Sequence, residues 1–139
     1  MTQVLYVDPE GRMASCLSHI FGRYGGIVLH PVASGEDALA WLSEHRADVI
    51  VSEYDLPGMD GVALLDSVKG QRIPAPFIIF TERDDDAARK EAYSRDVFGY
   101  IVRRGAEKKP ILKLLRLINW AAGVREADEL IGAGEQGPG

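Results

Sequence analysis

The chain holds one cysteine, Cys16, among 139 residues, so no internal disulfide can form. Cys16 falls in a helical apolar pattern and reads as a small core residue rather than a nucleophile. An uncrosslinked chain of this kind suits a reducing cytoplasm. No apolar stretch reaches the roughly 20 residues that a spanning helix needs. The first residues lack a basic start followed by an apolar run, so neither a membrane partner nor a signal peptide is expected. Clustered cations are scarce as well. Sixteen Lys and Arg face 21 Asp and Glu, a formal charge of −5. The one short basic cluster is Arg103, Arg104, Lys108 and Lys109, which reads as a site charge plus a solvated helix start. Nucleic-acid surfaces need more than that, and no nucleic-acid partner is expected. The apolar share of 46% is ordinary for a globular chain, and the length has room for one domain.

What the chain does have is alternation. Short β-like runs at Val4 to Val7, Ile27 to Leu29, Asp48 to Ser52, Phe77 to Phe80 and Phe98 to Val102 are each followed by a helical pattern. Met13, Leu17, Ile20, Phe21 and Tyr24 mark the first helix, which Gly25-Gly26 would end. Ser34 and Asp60 look like N-caps of the second and third helices. The acids Asp84, Asp85 and Asp86 read as complements to the dipole of the fourth helix rather than as a metal site. The last helix should run from about Ala106 to Ala122, burying Ile111, Leu114, Leu115, Ile118 and Ala122, with Gly123 ending it. Residues 1–123 then form the domain, and residues 124–139 a flexible, Gly-rich tail or linker. Pro31 marks the second strand as an edge strand, because proline cannot donate to a ladder.

Alternating strands and helices imply an α/β fold: a parallel sheet with helices on both faces, favouring strand order 2-1-3-4-5. In such sheets function gathers at the carboxyl ends of the strands. Those ends carry Asp8-Pro9-Glu10, Glu53-Tyr54-Asp55, Thr81-Glu82 and Arg103-Arg104. Converging acids repel unless a cation joins them. Oxygen-rich crevices suit Mg²⁺, and a phosphoryl group would want a metal, a hydroxyl and a basic residue.

The segment Glu53-Tyr54-Asp55-Leu56-Pro57-Gly58-Met59-Asp60-Gly61 resembles the Asp-x-x-Leu/Met-Pro-x-Met-Asp-Gly segment of the response-regulator receiver domains of two-component signalling. Val7-Asp8, Ser34 to Leu39, Thr81 and Gly99 to Arg103 match further landmarks in order. The resemblance spans about residues 3 to 122. It implies a flavodoxin-like (βα)5 three-layer sandwich. It also implies Glu53 at the phosphoacceptor position, Thr81 and Tyr100 as switch residues, and Arg103 where a lysine is usual. A Mg²⁺ site would draw on Asp8, Glu10, Glu53 and the backbone carbonyl of Asp55. That site is weak, because Pro9 replaces the second of two adjacent acids.

Glutamate reaches one methylene further than aspartate, and a displacement of about 1 Å can cost about 100-fold where in-line geometry decides the rate. Arg103 offers a fork suited to a carboxylate, so a Glu53–Arg103 pair is expected to hold one switch state without phosphate. The function expected is a non-enzymatic phosphorelay signalling module, acting by contact with a sensor histidine kinase or a downstream signalling protein. The alternative is a working Mg²⁺-dependent phosphoacceptor. A flavodoxin-like enzyme or flavin carrier is disfavoured, because no Gly-rich phosphate loop follows the first strand. Too little chain follows residue 122 for a helix-turn-helix domain, so direct transcription-factor action is not expected of this chain. On the last helix Leu117 and Trp120 fall off the core-facing stripe, which suggests a partner or homodimer surface. Trp41 is expected to cover the sheet edge.

Overall fold

A computed structural model of the chain describes residues 1–24 and 26–135, with side chains through residue 124. Its elements alternate: β1 (Thr2–Val7), α1 (Gly11–Tyr24), β2 (Ile27–Val32), α2 (Gly35–Leu42), β3 (Val49–Ser52), α3 (Gly61–Gly70), β4 (Phe77–Thr81), α4 (Asp86–Ser94), β5 (Gly99–Val102) and α5 (Lys108–Glu135). The five strands are parallel in the order β2-β1-β3-β4-β5, as expected. Pro31 sits in edge strand β2, opposite Tyr6.

Side-chain alternation along each strand divides the core in two. Val4, Tyr6, Val49, Val51, Ile78, Phe80 and Ile101 face α1 and α5, against Leu17, Phe21, Ile111, Leu114 and Ile118. Leu5, Val7, Ile50 and Ile79 face α2, α3 and α4, against Ala38, Leu64, Leu65, Val68, Ala88 and Ala92. Strand β3 is buried along its whole length, which is why Val-Ile-Val carries no polar alternation.

The helix starts follow local chemistry. Ser34 Oγ accepts from the Asp37 amide at 3.1 Å, and Asp60 Oδ1 accepts from the Ala63 amide at 2.8 Å. Among the three acids before α4, Asp85 is the N-cap, accepting from the Ala88 amide at 2.6 Å. Trp41 is partly buried on α2, its ring 5.0 Å from His30 and stacked 4.6 Å from His45.

Four expectations need correction. Tyr24, placed on the apolar stripe of α1, is 69% exposed; it is the last residue of the helix, beyond the reach of the sheet. Leu115 and Ala122 are only partly buried, and Ala121 is fully buried in place of Ala122. Leu117 packs against the core, because Gly99 leaves room for it: a Cβ there would stand 2.3 Å from Leu117 Cδ2. Finally, Gly123 does not end α5, which continues to Glu135. A helical glycine costs about 1 kcal/mol relative to alanine, a cost that favourable neighbours outweigh. The expected flexible tail therefore begins as helix. Gly25 and residues 136–139, parts of the expected cap and tail, lie outside the described residues.

Candidate functional site

The expected site residues follow four strand ends. Strand β3 stops at Ser52, and the Glu53 amide still donates to the Val7 carbonyl at 2.8 Å, fixing Glu53 beside Asp8. The chain then turns through Pro57-Gly58, where Gly58 adopts a φ of 82° that side chains disfavour. It returns so closely that the Gly61 amide meets the Tyr54 carbonyl at 2.7 Å. A Cβ on Gly61 would lie 2.7 Å from the Glu53 carbonyl oxygen. The glycine of the Met-Asp-Gly turn thus lets the α3 start press against the residue that carries the site's carboxylate.

Glu53 is 8% exposed, and both its oxygens are engaged. Oε1 accepts from the fully buried Thr81 hydroxyl and from the Tyr54 amide at 2.9 Å. Oε2 accepts from Arg103 Nη2 at 2.9 Å. The same Nη2 lies 3.4 Å from Asp8 Oδ2, and Nη1 lies 3.5 Å from the exposed Glu82 carboxylate. The fork thus bridges three carboxylates instead of gripping Glu53 bidentately. Arg103 is buried, its Cζ 5.4 Å from the Phe80 ring centroid, and it hangs from the end of β5 with its amide on the Thr81 carbonyl.

Burial pushes the Glu53 carboxyl above its ordinary value; the Thr81 hydroxyl, Arg103 and the backbone amides oppose that without cancelling it. Tyr6 is a functional neighbour that composition alone does not reveal. It shares a strand face with Asp8, two residues on, and its hydroxyl donates to Asp8 Oδ2 at 2.8 Å. Burial first, then the Asp8 charge, hold the Tyr6 phenol far above its usual range. A tyrosine inside a run of buried aliphatics signals such a partner, because its hydroxyl must be satisfied.

Tyr100 is buried on β5, and its hydroxyl donates to the Arg83 carbonyl at 2.6 Å. Its phenol is pushed up to about 12, by burial first and the Asp85 charge second. Asp55 is not part of the buried cluster. Its carboxylate turns outward to Arg83, with Nη2 to Oδ1 at 2.7 Å.

Residues 4–115 match the response regulator receiver domain. The chain belongs to that family. Among curated relatives of this receiver, the DNA-binding transcriptional regulator NtrC of Salmonella typhimurium is 36% identical over 76 residues, which is 55% of this chain and 16% of that protein. The positive alginate biosynthesis regulatory protein of Pseudomonas aeruginosa is 32% identical over 102 residues, 72% of this chain and 40% of that protein. The receiver thus spans less than half the length of these relatives. Among solved structures, the receiver domain of the Francisella response regulator 1452 superposes with a TM-score of 0.77 at 26% identity, covering 88% of this chain and 98% of that one. The chemotaxis response regulator CheY4 of Vibrio cholerae gives 0.73 at 26% identity, covering 85% and 98%. The fold is the flavodoxin-like sandwich of CheY-like receivers. No described helix is long and apolar enough to cross a membrane.

Receiver domains generally bind Mg²⁺ beside the acceptor. The side chains of this receiver do not fit that ion. Asp8 Oδ2 is engaged by Tyr6 and Arg103, and Oδ1 by the Glu10 amide at 2.8 Å. Glu10 is exposed, the Asp55 carboxylate (as distinct from the backbone carbonyl expected to serve the metal) pairs with Arg83, and each Glu53 oxygen already accepts a hydrogen bond. Among the described residues no group of three or more His, Cys, Asp or Glu is arranged to hold a metal. The guanidinium of Arg103 supplies the positive charge that two buried carboxylates require.

Proposed function

We propose that this receiver is an atypical signalling module, not an enzyme, in which Glu53 holds the switch by an internal ion pair instead of a phosphoryl group. The observation that carries the reading is the engagement of one carboxylate by four donors: the Thr81 hydroxyl, Arg103 Nη2, the Tyr54 amide and, at 3.4 Å, the Asp55 amide. A phosphoryl group on the acceptor of such a pocket would present oxygens to the same hydroxyl and the same cation. Glu53 presents its own oxygens instead. From Thr81 the contacts continue to the switch aromatic: the Arg83 amide donates to Thr81 Oγ1 at 3.1 Å, and the Arg83 carbonyl accepts from Tyr100.

We assign the module to residues 1–123 and residues 124–139, whose first part continues α5 to Glu135, to a tail or linker; the module works in the cytoplasm. Its output passes through contact with a sensor histidine kinase or a downstream signalling protein. Trp120 is the anchor we assign to pairing with a second copy. It is 65% exposed on α5, its ring edge-on to Phe98 at 5.6 Å, and exposed aromatic anchors concentrate binding energy.

The test is intact mass after incubation with acetyl phosphate and Mg²⁺, beside a Glu53→Asp variant. The reading expects no phosphoryl adduct on the natural chain. An adduct mapped to Glu53 or Asp55 would restore the Mg²⁺-dependent phosphoacceptor and overturn it. An adduct on Glu53→Asp alone would identify the extra methylene as the block.

A further inference from the structure

Arg83 lies in the loop after β4, two residues beyond Thr81, and its side chain and main chain do different things. The guanidinium reaches across the mouth of the sheet to Asp55, with Nη2 on Oδ1 at 2.7 Å and Nε 3.1 and 3.2 Å from the two oxygens. Nη1 donates to Asp85 Oδ2 at 3.2 Å, and Asp85 is the N-cap of α4. Its Cζ stands 5.1 Å from the centroid of the Tyr54 ring, whose hydroxyl donates to Glu91 of α4 at 3.2 Å. The Arg83 amide meanwhile donates to Thr81 Oγ1, and its carbonyl receives the Tyr100 hydroxyl. One residue therefore joins the loop after β3, the N-terminus of α4, the Thr81 hydroxyl and the buried aromatic of β5.

The geometry points to Arg83 as a positioning residue, a latch whose grip on Asp55 sets the loop so that its carbonyl meets Tyr100 and keeps that ring buried. The planar fork supports this role, because two parallel N–H contacts fix direction as well as distance. The carbonyl that receives Tyr100 belongs to the same residue, so a shift of the guanidinium is felt by the main chain that holds the ring. Arg83 and Asp55 are 42% and 57% exposed, so the latch is modest in strength and salt weakens it. A competing charge brought by a partner would release it in the same way. The inference concerns how the switch is regulated and does not depend on whether Glu53 accepts a phosphoryl group.

The experiment uses the full chain with fluorotyrosine incorporated, the Tyr100 signal being identified with Tyr100→Phe. Relaxation dispersion then reads the population of the minor, outward ring state. Arg83→Ala and Asp55→Asn should each raise that population about two- to fivefold, the range an exposed ion pair supports. The double variant should do no more than either single change, and Arg83→Lys, which keeps the charge facing Asp55, should raise the population less than Arg83→Ala does. High salt should reproduce the rise in the natural chain and leave the double variant unmoved. Effects that multiply in the double variant would overturn the latch. So would an unchanged Tyr100 signal in variants that merely melt earlier. Glu53→Gln, run in parallel, separates the two ideas: a shift there without one in Arg83→Ala leaves the internal pair standing and removes the latch.

Discussion

Arg103→Ala is the perturbation that most exposes the energetics of the site. The side chains of Arg103, Glu53 and Asp8 are 7%, 11% and 2% exposed, so the substitution leaves two buried carboxylates without their cation. Breaking a buried pair from one side costs about 3–5 kcal/mol. Glu53 offers partial relief, since its carboxyl already sits above the ordinary value and can take a proton. The lower end, about 3 kcal/mol, is therefore expected. For a domain of this size that is a fall in Tm of about 10 °C. Glu53→Gln should cost less, about 1 kcal/mol, because its amide oxygen still accepts from Thr81 and Tyr54. The double variant completes a cycle read by urea denaturation, and the two changes should couple by about 1.5–3 kcal/mol. Additivity within about 0.5 kcal/mol would refute the pairing, because contacting charges cannot be energetically independent.

Three further outcomes follow from the same contacts. Because the folded state holds the Glu53 proton to higher pH than the unfolded chain, Glu53's contribution to stability is complete below its ordinary value near 4.5 and is lost as pH rises through the raised value. The stability of the natural chain minus that of Glu53→Gln should therefore fall with rising pH in denaturant titrations, and a flat or rising difference contradicts the shift. Gly61→Ala forces a Cβ within 2.7 Å of the Glu53 carbonyl oxygen and 3.1 Å of Tyr54 Cα. Backbone cannot step aside as a side-chain tip can, so the urea midpoint should drop by the equivalent of about 1–3 kcal/mol. Trp120→Ala should weaken self-association at least tenfold by sedimentation, a loss of about 1.4 kcal/mol or more; unchanged association removes Trp120 from the interface.

Much of this was legible from residues alone, for reasons that differ between elements. The strands announced themselves because β3 and β4 are buried on both faces and so lack polar alternation. Ser34 and Asp60 were readable as caps because a cap is a local matter of one side chain and an amide three residues on. The meeting of Glu53 and Arg103 was inferable from strand ends in a parallel sheet. The sharing of that guanidinium with Asp8 and Glu82 was not, because it depends on how one side chain reaches across the ends of several strands. Leu117 was misplaced for a similar reason. A helical pattern shows where Leu117 points, but only Gly99 on another element shows that there is room for it. The Arg83–Asp55 grip links residues 28 apart through two loops, where no period exists to read. Tyr6, by contrast, carried a usable signal, a phenol within a buried strand that needs an acceptor.

If Glu53, paired with Arg103 and Thr81, holds the switch without a phosphoryl group, the Tyr100 ring should report its loss. The measurement is the fluorotyrosine spectrum of the chain without any phosphodonor, compared with Glu53→Ala. The natural chain should show a dominant, buried Tyr100 environment, the outward state remaining a minor one. A clear shift toward the outward ring should follow once Thr81 and Arg103 lose their carboxylate. Identical Tyr100 signals in the two proteins would contradict that hold, leaving Glu53 as a buried charge with no hand on the switch.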